Sequence, residues 1–432
     1  MQATPLIYNF VSLAGIAAIC GLAWLFGHER RRVRWTKVLW GVLIQLAIGL
    51  LVFTVPAGRT GLLWINDAVL SLLDSARAGL EFMFGPLALG PGRPGSLGFI
   101  LATQALPTVV FFMAFSALLY QAGIMQKVVN QFSRLFVRLL GASGAESMAA
   151  AANIFVGAEV AGMVRPFLAD MTRSEYFCLL VASMANVASS TLGVYVAALQ
   201  PTFPNIAGHL VSASVISAPA AIVIAKIMEP ETGEPVTARR LVDHEIGRYP
   251  SYMEAVIQGT QDGVKLLVGI AGLLLSFLGL VALANALLGW SGSLVGLHGL
   301  ELGRLLGYLA WPLVLTMGVP PADAMEVARL LGERALVTEI PAYMDLARLL
   351  GEGRFTYARS ALVASYALCG FAHVGSVAIF VGGFSSLVPA RMGELSRLGL
   401  KALLAATLAT LMVGCVAGLF ATGAGTVLGL GN

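Results

Sequence analysis

The sequence predicts an all-α polytopic membrane protein with about eight transmembrane helices, two re-entrant hairpins and several interfacial helices. Three observations carry this reading. The mean hydropathy is +0.83 over 432 residues. Charged residues make up only 12%, against about 25% for soluble chains, too few to cover the surface of a water-soluble fold this long. Apolar windows long enough to cross a bilayer recur along the chain, and polar, Gly- or Pro-bearing breaks interrupt them.

The first window, 6–26, reads as a retained span and not a signal peptide, because the basic cluster His28-Glu29-Arg30-Arg31-Arg32-Val33-Arg34 follows it and does not precede it. By the positive-inside rule that cluster is cytoplasmic and the N-terminus lies outside. A second span covers 38–55. Residues 64–84 mix Asp67, Asp74, Arg77 and Glu81 with Leu, Val and Phe, the pattern of an interfacial helix. Gly and Pro at 90–95 break the chain. A third span, 99–120, leads into an amphipathic stretch at 125–140. Residues 141–166 are too polar and too rich in Gly and Ala to face lipid, yet too apolar for a loop. A hairpin buried against protein fits that character. Spans follow at 176–199 and 209–227, then a mixed-charge loop at 229–248, an amphipathic helix at 252–265 and a span at 266–288. A second hairpin is expected at 300–321, with Pro312 and Pro320-Pro321 as breakers. A more polar broken segment, 322–350, precedes a long apolar stretch at 361–388 and a last span at 398–420.

The order hairpin, broken helix, long helix thus occurs twice, near 141–228 and near 300–388. Paired discontinuous segments are the sequence sign of inverted repeats around a midplane site. The expected division is N-terminal scaffold helices 1–140, a first transport repeat 141–228, a connecting scaffold segment 229–299, a second repeat 300–390 and a C-terminal span 391–432.

The net charge of +4 comes from short Arg-rich loops and gives no basic face for nucleic acid. The four cysteines lie in apolar stretches without metal or redox spacing and read as buried hydrophobes. No nucleophile–base pair or metal cluster appears at usable spacing, so no enzyme is expected, and no cofactor. The 49 glycines suit close helix approach in lipid.

Ionisable and amide side chains inside apolar segments are costly and mark candidate sites. Glu159, in the first hairpin, needs a cation, a donor or a proton; the plainer alternative is a cap on a helix end. Glu339 precedes Pro341, which frees a backbone carbonyl and unwinds the preceding turn; the alternative is an ion pair with Arg334. His373 can bond a solute or carry a proton, or simply fill the core. Asn153 and Asn186 can hold Na⁺ where helices unwind, or bond between helices.

At these residues the chain resembles the concentrative nucleoside transporter family. The likeness runs through 123–129, Gly144-Ala145-Glu146-Ser147-Met148, 151–157, Arg165-Pro166, 171–175, 209–215, 217–221, 227–232, 318–320, 366–372 and Gly382-Gly383. It implies that family's fold, a homotrimer in the cell inner (plasma) membrane, and Na⁺- or H⁺-coupled import of nucleosides by an elevator-type movement. It also implies site residues. The hairpin positions that read the nucleobase as Gln and Glu in the family are Ala158 and Val160 here, with Glu159 between them. The family's Asn-Glu pair is Thr338-Glu339, and Gly-Phe-Ala-Asn-Phe-Ser-Ser becomes Gly370-Phe371-Ala372-His373-Val374-Gly375-Ser376. Thr191 completes the expected substrate set. The Na⁺ ligands map to Asn153, Val156, Asn186 and Val187. Because the base-reading residues are replaced, the alternative substrate is another polar or cationic metabolite on the same fold.

Overall fold

The computed structural model describes residues 2, 4–90, 93–157, 160–238, 240–241, 249–294, 296 and 301–421. These residues are helical throughout, apart from turns and one isolated bridge between Gln2 and Tyr357. In chain order the helices are α1 (Ile7–Leu25), α2 (Trp35–Phe53), α3 (Pro56–Phe84), α4 (Thr108–Gln121), α5 (Ile124–Leu139), α6 (Gly144–Ala152), α7 (Val160–Leu168), α8 (Arg173–Ala185) and α9 (Ser189–Leu199). Then follow α10 (Ile206–Met228), α11 (Tyr252–Leu294), α12 (Leu302–Thr316), α13 (Pro321–Leu336), α14 (Glu339–Gly351), α15 (Ala358–Leu368), α16 (Val374–Leu387) and α17 (Met392–Phe420).

The first hairpin forms as expected, as α6 and α7, and the span after it is broken at Asn186–Ala188 between α8 and α9. The second repeat is shifted by one element from the sequence expectation. Residues 302–316 are a single helix that carries Pro312 inside it. One proline removes one backbone hydrogen bond, and the chain around it stays helical. The turn comes later, at Gly318, whose φ of +76° suits glycine and where a Cβ would lie 2.3 Å from Ser12 Oγ. The second hairpin is therefore α13 and α14, with its tip at Val337-Thr338. Pro341 falls in the first turn of α14, where its missing N–H is not needed. The expected long helix at 361–388 is broken at 369–373 into α15 and α16, and α17 is the long third element. The order hairpin, broken helix, long helix is thus traced by α6–α10 and by α13–α17.

Seven segments among the described residues are long and apolar enough to span a membrane, against the eight expected; the break at 369–373 accounts for the difference. Two smaller corrections concern α4 and α11. The third span opens with a π-turn at Leu101–Ala105 and becomes α-helical only at Thr108, after Pro107. The amphipathic stretch at 252 and the following span are one helix of 43 residues.

The repeats form the interior. The span windows of 173–199 and α10 are 89% and 83% buried, whereas that of α11 is 11% buried. Within residues 1–140, α1 packs on α17 and α2 on α10, while α4 pairs with α11.

Polar clips fix the base of each hairpin. Ser143 and Glu146 form a capping box on α6, Thr172 and Glu175 another on α8, each cap being worth about 1 kcal/mol. The Ser143 hydroxyl donates to Glu175 at 2.6 Å and joins the two. In the second repeat buried Asp323, in the first turn of α13, accepts from Thr356 N at 2.9 Å, Tyr357 N at 3.0 Å and Ser360 Oγ at 2.6 Å. In both repeats a carboxylate thus ties hairpin to broken helix.

Candidate functional site

Four breaks converge: the first hairpin tip, the α8/α9 break, the second hairpin tip and the α15/α16 break. Backbone bonds stitch them together. Phe371 N donates to Asn186 O at 3.3 Å, and Ser189 N to Phe155 O at 3.2 Å. Each break exposes helix-end peptide groups to side chains from the others.

Glu339 opens α14 and is fully buried. Its Oε1 accepts from the Tyr195 hydroxyl at 2.5 Å. Its Oε2 has no hydrogen-bond partner among the described residues. Across from it stands His373, with Nε2 at 3.9 Å and equally unpartnered. His373 is not a mid-span residue as the sequence suggested; it is the N-cap of α16. Its Nδ1 accepts from Ser376 N at 3.2 Å, which leaves the proton of the neutral ring on Nε2. The pair therefore offers one donor and one acceptor, and a hydroxyl between them can accept from His373 and donate to Glu339 at ordinary distances of about 2.8 Å.

The Arg334–Glu339 ion pair does not form. Arg334 Nη1 donates instead to Ala367 O at 2.6 Å and Thr410 Oγ1 at 2.9 Å. Thr338 caps α14, accepting from Ile340 N at 3.3 Å. The Ser376 hydroxyl is taken up locally, donating to His373 O at 2.6 Å.

A cavity of about 270 Å³ lies beside this pair, lined by Asn153, Val156, Asn186, Thr191 and Phe371, with Ile270 of α11 among the residues closing it. Phe371 borders the cavity and packs on the His373 ring at 4.4 Å. Glu339 and His373 do not line the cavity themselves; His373 meets it through the Phe371 ring. The Thr191 hydroxyl donates to Ala188 O at 3.0 Å.

Both amides line the cavity. Asn153 Nδ2 donates to Ser183 Oγ at 3.4 Å. Asn186 Nδ2 donates to Ala182 O at 3.3 Å, and its Oδ1 is buried without a partner. Neutral side-chain oxygens of this kind suit Na⁺. Val187 is buried at the same break. Val160 is packed away inside the hairpin with no exposed surface. Ala158 and Glu159 lie outside the described residues, as does the capping alternative for Glu159.

Sequence reasoning missed Tyr195 and Ser183. A tyrosine in an apolar half-helix reads as core, and only its spacing of one turn from Thr191 hinted at the site. Ser183 lies one turn before Asn186, the same kind of weak signal.

Residues 209–418 match the family described as the Na⁺ dependent nucleoside transporter C-terminus. Residues 14–87 match its N-terminus, and 102–202 a domain described as nucleoside recognition. The chain is 36% identical over 410 residues to the uncharacterized transporter YutK of Bacillus subtilis, covering 94% of this chain and 98% of that protein. This chain belongs to the Na⁺-dependent nucleoside transporter family. Human solute carrier family 28 member 3 is 33% identical over 428 residues, covering 96% of this chain and 60% of that protein; the chain spans about three fifths of such animal relatives. CNTnw in an inward-facing substrate-bound state superposes with a TM-score of 0.86 at 34% identity, covering 95% of this chain and 98% of that one. A CNTnw variant in an outward-facing state gives 0.87 at 33% identity, covering 95% and 97%. The concentrative nucleoside transporter fold, the multi-pass membrane setting and membership in a transporter family, not an enzyme family, follow.

Proposed function

We propose that this chain imports nucleosides across the cell inner (plasma) membrane, driven by inward movement of Na⁺. The buried Glu339–His373 pair carries the reading: a donor and an acceptor 3.9 Å apart, both unpartnered, are spaced for a ribose hydroxyl. Phe371 covers the pair and stacks on bound solute. Asn153, Ser183, Asn186 and the Val156 backbone hold the ion. The packing supports an elevator division in which the α4–α11 pair is the static part, assembled as a homotrimer, and the repeats with α1 and α2 move past it.

The test is uptake of labelled uridine and adenosine into proteoliposomes under a Na⁺ gradient. Uptake that collapses when Na⁺ is replaced by choline supports the proposal. Uptake driven by a pH gradient without Na⁺ assigns the coupling to protons. Thermal stabilisation by amine-bearing metabolites and by no nucleoside moves the substrate to the polar or cationic class.

A further inference from the structure

A pocket away from the transport site lies between the start of α2, the loop after α5 and the end of α10. Its wall includes Arg32, Arg34, Lys37, Gly141, Lys226 and Glu231. Glu231 is already engaged: the Thr172 hydroxyl donates to it at 2.9 Å, and the Lys226 ammonium lies 3.6 Å away. Lys226 in turn is ion-paired with Glu146. The other cations are not balanced in this way. Among the described residues, Lys37 hydrogen-bonds only the Leu139 carbonyl, at 3.4 Å, Arg34 has no ion pair, and Arg32 has only Glu29, at 3.4 Å, with both side chains about half exposed, a weak surface pair. The pocket therefore holds uncompensated positive charge.

Its size and setting narrow the occupant. The free space is about 50 Å³, room for one phosphate-sized group and not for a whole metabolite. Trp35, Leu39, Trp40 and Leu43 are exposed on α2, so an apolar strip starts at the pocket's rim. Indoles favour the headgroup level of a bilayer, and basic pockets between spanning helices on the cytoplasmic side suit acidic headgroups. Topology alone accounts for arginines in a cytoplasmic loop. It does not account for their gathering with the distant end of α10 around one walled space.

We propose that this pocket binds the phosphodiester headgroup of an acidic phospholipid, with the acyl chains along the exposed face of α2. The lipid then ties α2 to α10 next to the clip under the first hairpin. This rests on the membrane orientation and not on the substrate reading.

The full chain, purified in neutral detergent, is titrated with phosphatidylglycerol or phosphatidylcholine of equal chain length and followed by native mass spectrometry. Phosphatidylglycerol is retained and phosphatidylcholine is not. Each cation removed weakens retention about fivefold, so Arg34→Gln with Lys37→Gln lowers it about twenty-five-fold, whereas Arg348→Gln on α14 changes nothing. If the double variant does not fold, Lys37→Gln alone is read the same way, with its single-cation loss. Equal retention of the two lipids, or unchanged retention in the variants, overturns the proposal. Displacement of the lipid by millimolar inorganic phosphate also overturns it and assigns the pocket to the free anion.

Discussion

His373 Nε2 stands 3.9 Å from Glu339 Oε2, and neither atom has a hydrogen-bond partner among the described residues. The capping bond from Ser376 N to His373 Nδ1 fixes which nitrogen carries the proton, so the pair has a defined polarity. A ligand hydroxyl satisfies both groups at once, and a ligand without it leaves both buried and unpaired.

The first prediction follows from that polarity. Orphaning buried polar groups costs about 1–3 kcal/mol each. A 2′- or 3′-deoxy analogue, which leaves two groups unpaired, should therefore bind at least about thirtyfold more weakly than the ribonucleoside of the same base, by calorimetry. In Glu339→Ala the gap between the two ligands should narrow, because the acceptor is gone and only the His373 donor remains. An unchanged gap in that variant places hydroxyl recognition elsewhere.

Tyr195 holds the other oxygen of the same carboxylate, at 2.5 Å. Its ring stacks on Tyr343 at 4.7 Å, a contact that phenylalanine keeps. Tyr195→Phe should leave the fold intact and raise the KM for nucleoside about tenfold, with kcat little changed. An unaltered KM shows that Glu339 is oriented without the hydroxyl.

The sequence made the breaks legible because each combines a charge or amide with Gly, Pro or small residues in apolar surroundings. Asn153, Asn186, Glu339 and His373 stand out in the sequence that way. The pairing of the second repeat was not legible. Pro312 looks like a breaker but sits inside a helix, while Gly318 and the His373 cap make the real turns. A sequence does not reveal which proline is compensated by its neighbours. The coupling of Tyr195 to Glu339 crosses 144 residues, so no local pattern could announce it. The split between α1–α2 and α4 likewise depends on which apolar faces meet, and apolar faces all look alike in sequence.

Asn186 tests the ion site. Its Oδ1 is buried without a partner at the α8/α9 break, beside a cavity that Asn153 also lines. Asn186→Ala removes one oxygen and should raise the Na⁺ concentration for half-maximal uptake about tenfold. Uptake at saturating Na⁺ should remain close to that of the unaltered chain. If the Na⁺ dependence does not move, the orphan oxygen serves the solute or a neighbouring helix.

Glu229 gives a pH prediction at a helix end outside the spans. Burial alone would raise its pKa, but hydrogen bonds from Lys401 at 2.7 Å and Arg173 at 2.8 Å outweigh burial and hold it below the usual 4.5. A carboxylate whose pKa falls on folding stabilises the fold above its unfolded pKa, and that contribution is lost as pH drops through the folded value. The unaltered chain should therefore lose part of its thermal stability as pH falls below about 4.5. Lys401→Met leaves Glu229 with Arg173 alone, so its folded pKa moves back toward the unfolded one. The variant should melt lower at neutral pH and show a shallower fall on acidification, measured side by side in the same detergent. Parallel curves for the two proteins would show that the Lys401 contact does not set the pH dependence, and coincident curves that it is neutral to folding.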